Sequence, residues 1–291
     1  MQKLTLSNQT WTLTLLPQWG GRVAELRAGD LDIYTPIQAE TFNPLDWPRG
    51  GAYPLLPYSN RLRNAQLTHA GITHQLPAHP AALPHTLHGV SHTQAWQVVE
   101  HSSTHAIVSC VYEGGHWPWP VKFEQRYELD GHRLRQSISL TNLGSSSMPG
   151  GLGLHPYFQR HEGMKARFFV AKKWDIDNEY LPVGHAHECS EEVQVQAFAI
   201  EELAVYGAEW DGRLDLEYPL GKLVLQASAP LSHFVAFAPS TAPYLCLEPV
   251  SHLADAFNSQ PQHWPEQGAQ ILEPGQTLSA QLIFSWAPKQ P

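Results

Sequence analysis

Val121-Lys122-Phe123-Glu124-Gln125-Arg126-Tyr127-Glu128-Leu129-Asp130-Gly131-His132-Arg133-Leu134-Arg135-Gln136-Ser137-Ile138 carries the reading of the fold. Val121, Phe123, Tyr127 and Leu129 share one parity, the period that sends side chains to a single face of a β-strand. Asp130-Gly131 supplies the positive φ angles of a tight hairpin, and a second strand follows from Leu134 to Ile138. The same alternation recurs in Trp11, Leu13, Leu15 and in Leu278, Ala280, Leu282, Phe284, Trp286. Asp211-Gly212 and Pro219-Leu220-Gly221 punctuate two further pairings, around Leu214 to Tyr218 and Leu223 to Ala227. A long helical stripe is not evident, and 24 Pro and 21 Gly would interrupt one. Short helical turns are expected only near Ala254 to Phe257. The chain is therefore predicted to be all-β, a large β-sandwich.

With 291 residues, 42% of them hydrophobic, and ten each of Trp, Tyr and Phe, the chain holds ample material for a sizeable core. It shows no internal repeat, low-complexity tail or linker, so residues 1–291 are read as a single domain. The formal net charge is −9, and the cations are scattered, with nothing denser than a pair such as Lys172-Lys173. That distribution excludes nucleic acid as a partner, because phosphate binding requires a basic patch. A small neutral sugar demands no strong field and suits the aromatic surplus. Cys110, Cys189 and Cys246 lack CxxC spacing, so neither a disulfide framework nor a thiolate metal site is expected, and a reducing cytoplasm fits. The opening MQKLTLSNQTW has no long apolar stretch, and no run long enough to span a bilayer follows, so neither export nor a membrane span is expected.

The Gly/Pro/His-rich stretches 41–60 and 77–92 read as long, ordered, functional loops. Chemistry-bearing residues concentrate in four segments. Gly150-Gly151-Leu152-Gly153-Leu154-His155-Pro156-Tyr157-Phe158 sets a histidine between backbone-fixing residues, as a positioned general acid requires. The alternative is that His155 is one of seventeen histidines, capping a turn. Glu248 closes the apolar run Tyr244-Leu245-Cys246-Leu247, where a carboxylate needs partners or a task, unless it is simply an exposed strand end. Pro54-Leu55-Leu56-Pro57-Tyr58-Ser59-Asn60-Arg61 presents an amide and a guanidinium, donors for sugar hydroxyls or ties for the loop. His85, His88 and His92 surround Gly89, as loop caps or, for His88, as a substrate contact.

Taken in this order along the chain, the four segments resemble the aldose 1-epimerase (galactose mutarotase) family. Gly51 to Leu62 resembles its Asn-Arg motif, Leu87-His88-Gly89 its His-Gly motif, Gly151 to Phe158 its Gly-x-Gly-x-His-Pro-Tyr-Phe motif, and Leu247-Glu248-Pro249 its Glu-Pro motif. Pro118-Trp119-Pro120, Leu181-Pro182-Val183-Gly184 and Leu272-Glu273-Pro274-Gly275 extend the similarity over nearly the whole chain. The resemblance implies a β-supersandwich, no metal, no organic cofactor, and interconversion of the α and β anomers of a free aldohexose. It implies Glu248 as general base on the anomeric hydroxyl, His155 as acid on the ring oxygen, and Asn60, Arg61 and His88 as sugar contacts. Phosphorylated hexose as substrate, with Arg63 as an extra cation, and a non-catalytic carbohydrate binder of the same fold are the alternatives within this resemblance.

One departure concerns the substrate. Where many members of that family carry a sugar-binding aspartate ahead of a Trp-Asp-Gly turn, this chain has Leu203-Ala204-Val205-Tyr206 before Trp210-Asp211-Gly212, so the aspartate corresponds to Ala204. Asp177, Glu179, Glu209 and Asp211 are candidates to replace it. A rival metal-dependent reading rests on His185-Ala186-His187 followed by Glu191, which mimics cupin ligand spacing. Gly184 to Ser190 otherwise reads as a polar loop after a Pro-Val-Gly turn.

Overall fold

The computed structural model describes residues 2–196 and 202–289. Val121–Asp130 and Arg133–Asn142 pair antiparallel along their full length, from Val121↔Asn142 to Asp130↔Arg133. The loop is therefore Gly131-His132, with Gly131 at φ 53, one residue beyond the expected Asp130-Gly131 centre. Every second residue from Val121 to Leu129 is buried, and Gln125 takes the inward position between Phe123 and Tyr127. An amide there would be costly unpaired. It donates to the Gly21 carbonyl at 2.8 Å and accepts from the Tyr127 hydroxyl at 2.8 Å.

Outward from this hairpin, His105–Tyr112 flanks one edge and Thr277–Pro288 the other, and Gly221–Ala227 then joins Thr277–Pro288 to the long strand Leu203–Tyr218. A second path leads from Leu203–Tyr218 through His233–Ala238, Tyr244–Val250, Leu154–Gln159 and Ala52–Pro54 to Arg22–Ala28 and Trp11–Leu16. The hydrogen-bonded network folds back on itself as a β-sandwich. Trp11, Leu13, Leu15 and Leu26 from one layer share a core with Phe123, Tyr127, Ile138, Leu282 and Phe284 from the other. Tyr34 touches Phe158 and Phe284 edge-on, at 5.3 and 6.4 Å between centroids.

Two sequence expectations change. Asp211-Gly212 does not separate two strands but lies inside Leu203–Tyr218, where Glu209 and Gly212 take φ 53 and 79. There the strand exchanges partners, from His233–Ala238 to Gly221–Ala227, so the glycine serves a bend rather than a hairpin. Gly184 to Ser190 is also no loop, because Pro182–Glu188 forms a strand on Lys165–Ile176. Pro219-Leu220 closes the expected turn between Tyr218 and Gly221. Ala256–Asn258 is the expected short helical turn, and Trp264–Gln267 is the one α-helical segment among the described residues. No helix among them is long and apolar enough to cross a membrane.

Candidate active site

The site is built on one row of residues across the sheet. The bridge Gly153↔Val250 and the pair Tyr157↔Cys246 flank His155 and Glu248, so the register sets these two directly opposite one another. Tyr53 lies opposite His155 on the next strand, and on the other side Val235 pairs with Glu248, Tyr206 with Val235 and Trp174 with Tyr206. Cross-strand partners point to the same face, so this row forms a continuous floor. His155 Nε2 stands 3.3 Å from Glu248 Oε1, with His155 7% and Glu248 4% exposed. The glycines before His155 permit close packing: a Cβ on Gly151 would meet the His252 ring at 2.1 Å.

The two long loops supply the walls. Asn60 and His88 both adopt left-handed backbone, φ 59 and 63, uncommon for residues with a side chain. They hold each other there: the Asn60 amide N–H donates to His88 Nδ1 at 3.1 Å, and the His88 N–H donates to the Asn60 carbonyl at 2.8 Å. With Nδ1 accepting, a neutral His88 carries its proton on Nε2 and is a donor there. Asn60 Nδ2 donates to the Tyr206 hydroxyl at 2.9 Å, while its Oδ1 accepts from the Arg61 guanidinium at 3.2 Å. Arg61 lies over the Tyr180 ring, 5.0 Å from its centroid. Asn60, Arg61, His88, His155 and Glu248 all line one cavity of about 210 Å³, together with Arg49, Tyr180 and Tyr206. That is below the roughly 300–1,000 Å³ usual for drug-sized ligands and suits a single small ring.

Desolvation drives both members of the central pair towards neutrality. Burial pushes the Glu248 carboxyl well above the usual carboxylate range, against the pull of Arg61. Burial, with Arg22 and Arg49 adding repulsion, pushes the His155 imidazole well below its usual value. Burial thus favours the neutral forms, a carboxylic acid beside a neutral imidazole. Their positions suit proton transfer to and from two oxygens of one bound molecule.

A family model described as aldose 1-epimerase matches residues 2–285. The chain belongs to the aldose 1-epimerase family. It is 26% identical over 243 residues to the uncharacterised protein YphB of Escherichia coli K12, covering 79% of this chain and 81% of that one. A shorter match, 28% over 105 residues, covers 35% of this chain and 34% of YihR, an uncharacterised protein of the same organism. Among solved structures, a putative aldose 1-epimerase from E. coli K12 superposes with TM-score 0.86 at 21% identity, covering 99% of both chains. A GalM/aldose epimerase homologue from C. elegans gives TM-score 0.81 at 17% identity, again over 99% of both.

One or two residues from each of the four motif segments line the one cavity. Other residues fall elsewhere. His85 accepts from the Asn64 N–H and stands 3.3 Å from Glu179, outside the cavity lining. His92 is buried between the Trp47 and Tyr53 rings, at 5.0 and 5.3 Å, and neither of its nitrogens has a hydrogen-bond partner among the described residues. None of Asp177, Glu179, Glu209 and Asp211 lines the cavity. Asp177 approaches Arg63 at 3.8 Å, Glu209 pairs with Lys172 at 2.9 Å, and Asp211 is exposed. Arg63 also pairs with Asp255, at 3.5 Å, and is not part of the lining. The cupin-like residues are exposed, with His187 bonded to Asp175 at 2.7 Å. The one group of metal-ligand atoms within 4.8 Å of one another among the described residues is His155, Glu248 and Cys246, the central pair and a thiol beside it.

Sequence reasoning missed Arg49, Tyr53 and Tyr206. Tyr206 stands two residues beyond Ala204 and so on the same strand face, where its hydroxyl orients Asn60. An aromatic beside a vacated acidic position was the available signal.

Proposed function

We propose that this protein is a mutarotase interconverting the α and β anomers of an aldohexose with a free anomeric centre. The observation that carries the reading is the buried His155–Glu248 contact of 3.3 Å on the floor of a cavity sized for one sugar ring. Glu248 as carboxylate takes the proton of the anomeric hydroxyl. The C1–O5 bond breaks as its electron pair goes to the ring oxygen, which receives the proton of His155. C1 becomes an aldehyde, rotation about C1–C2 presents its other face, and O5 attacks C1 with the two proton transfers reversed. Atoms and protons balance without an electron carrier, and each proton-transferring group contributes roughly 10²–10⁴-fold.

The resting pair, carboxylic acid with imidazole, contains the same number of protons as the working pair, carboxylate with imidazolium. Transfer across the 3.3 Å contact converts one into the other, and Arg61 favours the ionised carboxylate. Asn60, Arg61 and the Nε2 donor of His88 hold the sugar hydroxyls. The reading treats the chain as one domain acting in the cytoplasm, which its unpaired cysteines favour.

Polarimetry of freshly dissolved α-D-glucose, α-D-galactose, D-glucuronate and D-glucose 6-phosphate, with EDTA-treated protein, tests the reading. Accelerated decay of rotation for any of the four supports it; spontaneous rates for all four defeat it.

A further inference from the structure

The cations of this chain are mostly matched to acceptors. Arg63 faces Asp177 and Asp255, Arg213 faces Asp215, and Arg160 donates to the carbonyls of Pro239, Ser240 and Tyr244. Arg49 differs. It lines the mouth of the sugar cavity, exposed, with its guanidinium 5.3 Å above the Trp47 ring. Its neighbours are the phenols of Tyr157, whose hydroxyl lies within hydrogen-bonding reach of the guanidinium and takes up part of its donor edge, Tyr53 and Tyr244, and among the described residues it forms no ion pair with a carboxylate. A guanidinium placed by an aromatic face rather than a carboxylate keeps its charge and the rest of its donor edge available. Arg22, fully buried over the Tyr53 ring at 4.1 Å, adds a second cation without a hydrogen-bond partner at the same end of the row. The cavity's carboxylate, Glu248, lies towards Arg61 and Tyr206 instead.

This asymmetry maps onto the sugar. Trp47 donates to the Tyr157 hydroxyl at 3.0 Å, and the Tyr157 ring lies 4.7 Å from His155, so Arg49, Trp47, Tyr157 and His155 are contiguous. On the mutarotase reading, on which this inference rests, His155 faces the ring oxygen. The ring oxygen is bonded to C5, and C5 carries C6. The C6 substituent therefore falls at the His155 end, while the anomeric oxygen and C2 face Glu248 and Arg61. Arg49 also borders an open cleft with Thr35, Gly50, Gln159 and His161, so a group projecting from C6 meets its charge without being buried.

We propose that Arg49 binds an anionic substituent on C6 of the aldohexose, the carboxylate of a hexuronate or the phosphate of a hexose 6-phosphate.

The test is NMR exchange kinetics of D-glucose, D-glucuronate and D-glucose 6-phosphate with the wild type, Arg49→Met and Arg49→Lys. The wild type is expected to prefer one of the anions over D-glucose, and which one identifies the group. A charge-assisted hydrogen bond is worth about 1.5–3 kcal/mol, so Arg49→Met is expected to shrink the anion-to-glucose ratio of kcat/KM roughly 10- to 100-fold. Arg49→Lys is expected to restore part of it. Turnover favouring D-glucose, or a ratio unchanged by Arg49→Met, overturns the proposal and leaves the mutarotase reading standing. No turnover of any of the three overturns both.

Discussion

The imidazole of His155 lies flat against the ring of Tyr53, with centroids 4.7 Å apart and planes 16° from parallel. The two residues are also cross-strand partners, so sheet register and ring stacking fix the same orientation. The Tyr53 hydroxyl is buried without a hydrogen-bond partner among the described residues. Tyr53→Phe is therefore expected to keep stability and kcat near wild type. Tyr53→Ala removes the stacking surface, costing about 3–5 kcal/mol in stability and lowering kcat. Thermal denaturation alongside anomerisation rates checks both, and loss of activity in Tyr53→Phe would show that the hydroxyl, not the ring, matters.

Glu248 makes stability pH-dependent. Its carboxyl is raised by burial to about 8 in the folded chain, above its unfolded value of 4.5. Such a group contributes its full stability below the unfolded value and loses it as pH rises through the folded one. Glu248→Gln, which cannot ionise, is thus expected to gain in Tm relative to wild type between pH 5 and pH 8. The gain reaches at least about 2 °C at pH 8 for a chain of this size. A Tm difference that stays flat over that range contradicts the burial argument.

Tyr206 orients the amide of Asn60 through a single hydrogen bond of 2.9 Å. Tyr206→Phe leaves the ring and removes the acceptor, at about 1 kcal/mol in stability. KM is expected to rise several-fold with kcat changed less, as fits an interaction made equally in ground and transition states. Steady-state kinetics on the preferred sugar decides this.

Gly151 marks how tightly the motif loop packs. A methyl group there would strike His252, whose Nε2 accepts from the Ser59 N–H next to Asn60. Gly151→Ala is expected to destabilise by about 1–3 kcal/mol and to weaken sugar binding through displaced Asn60. Denaturant unfolding and KM should move together.

Much of this was legible because half-buried strands alternate. Val121 to Leu129 and Leu278 to Trp286 announce their inward faces. Pro182–Glu188 was not legible, since a largely exposed strand has no apolar set to reveal it. Asp211-Gly212 misled because the residues of a bend inside a strand are those of a hairpin turn. In the site, His155, Glu248, Asn60, Arg61 and His88 stood out through the Gly and Pro residues around them and their order. Tyr53 and Tyr206 depend on the pairing register, which sets Tyr53 against His155, about 100 positions on, and Val235 between Tyr206 and Glu248, while Arg49 sits in a bend outside any strand. Local sequence carries no trace of the Tyr53 pairing.

The central claim is that His155 and Glu248 act as one proton-transferring unit. NMR exchange rates of the preferred aldose with His155→Asn, Glu248→Gln and the double variant test it most directly. If the claim holds, each single variant loses roughly 10²–10⁴-fold in kcat while remaining folded, and the double variant loses little more than either. Near-wild-type turnover by either single variant would contradict it.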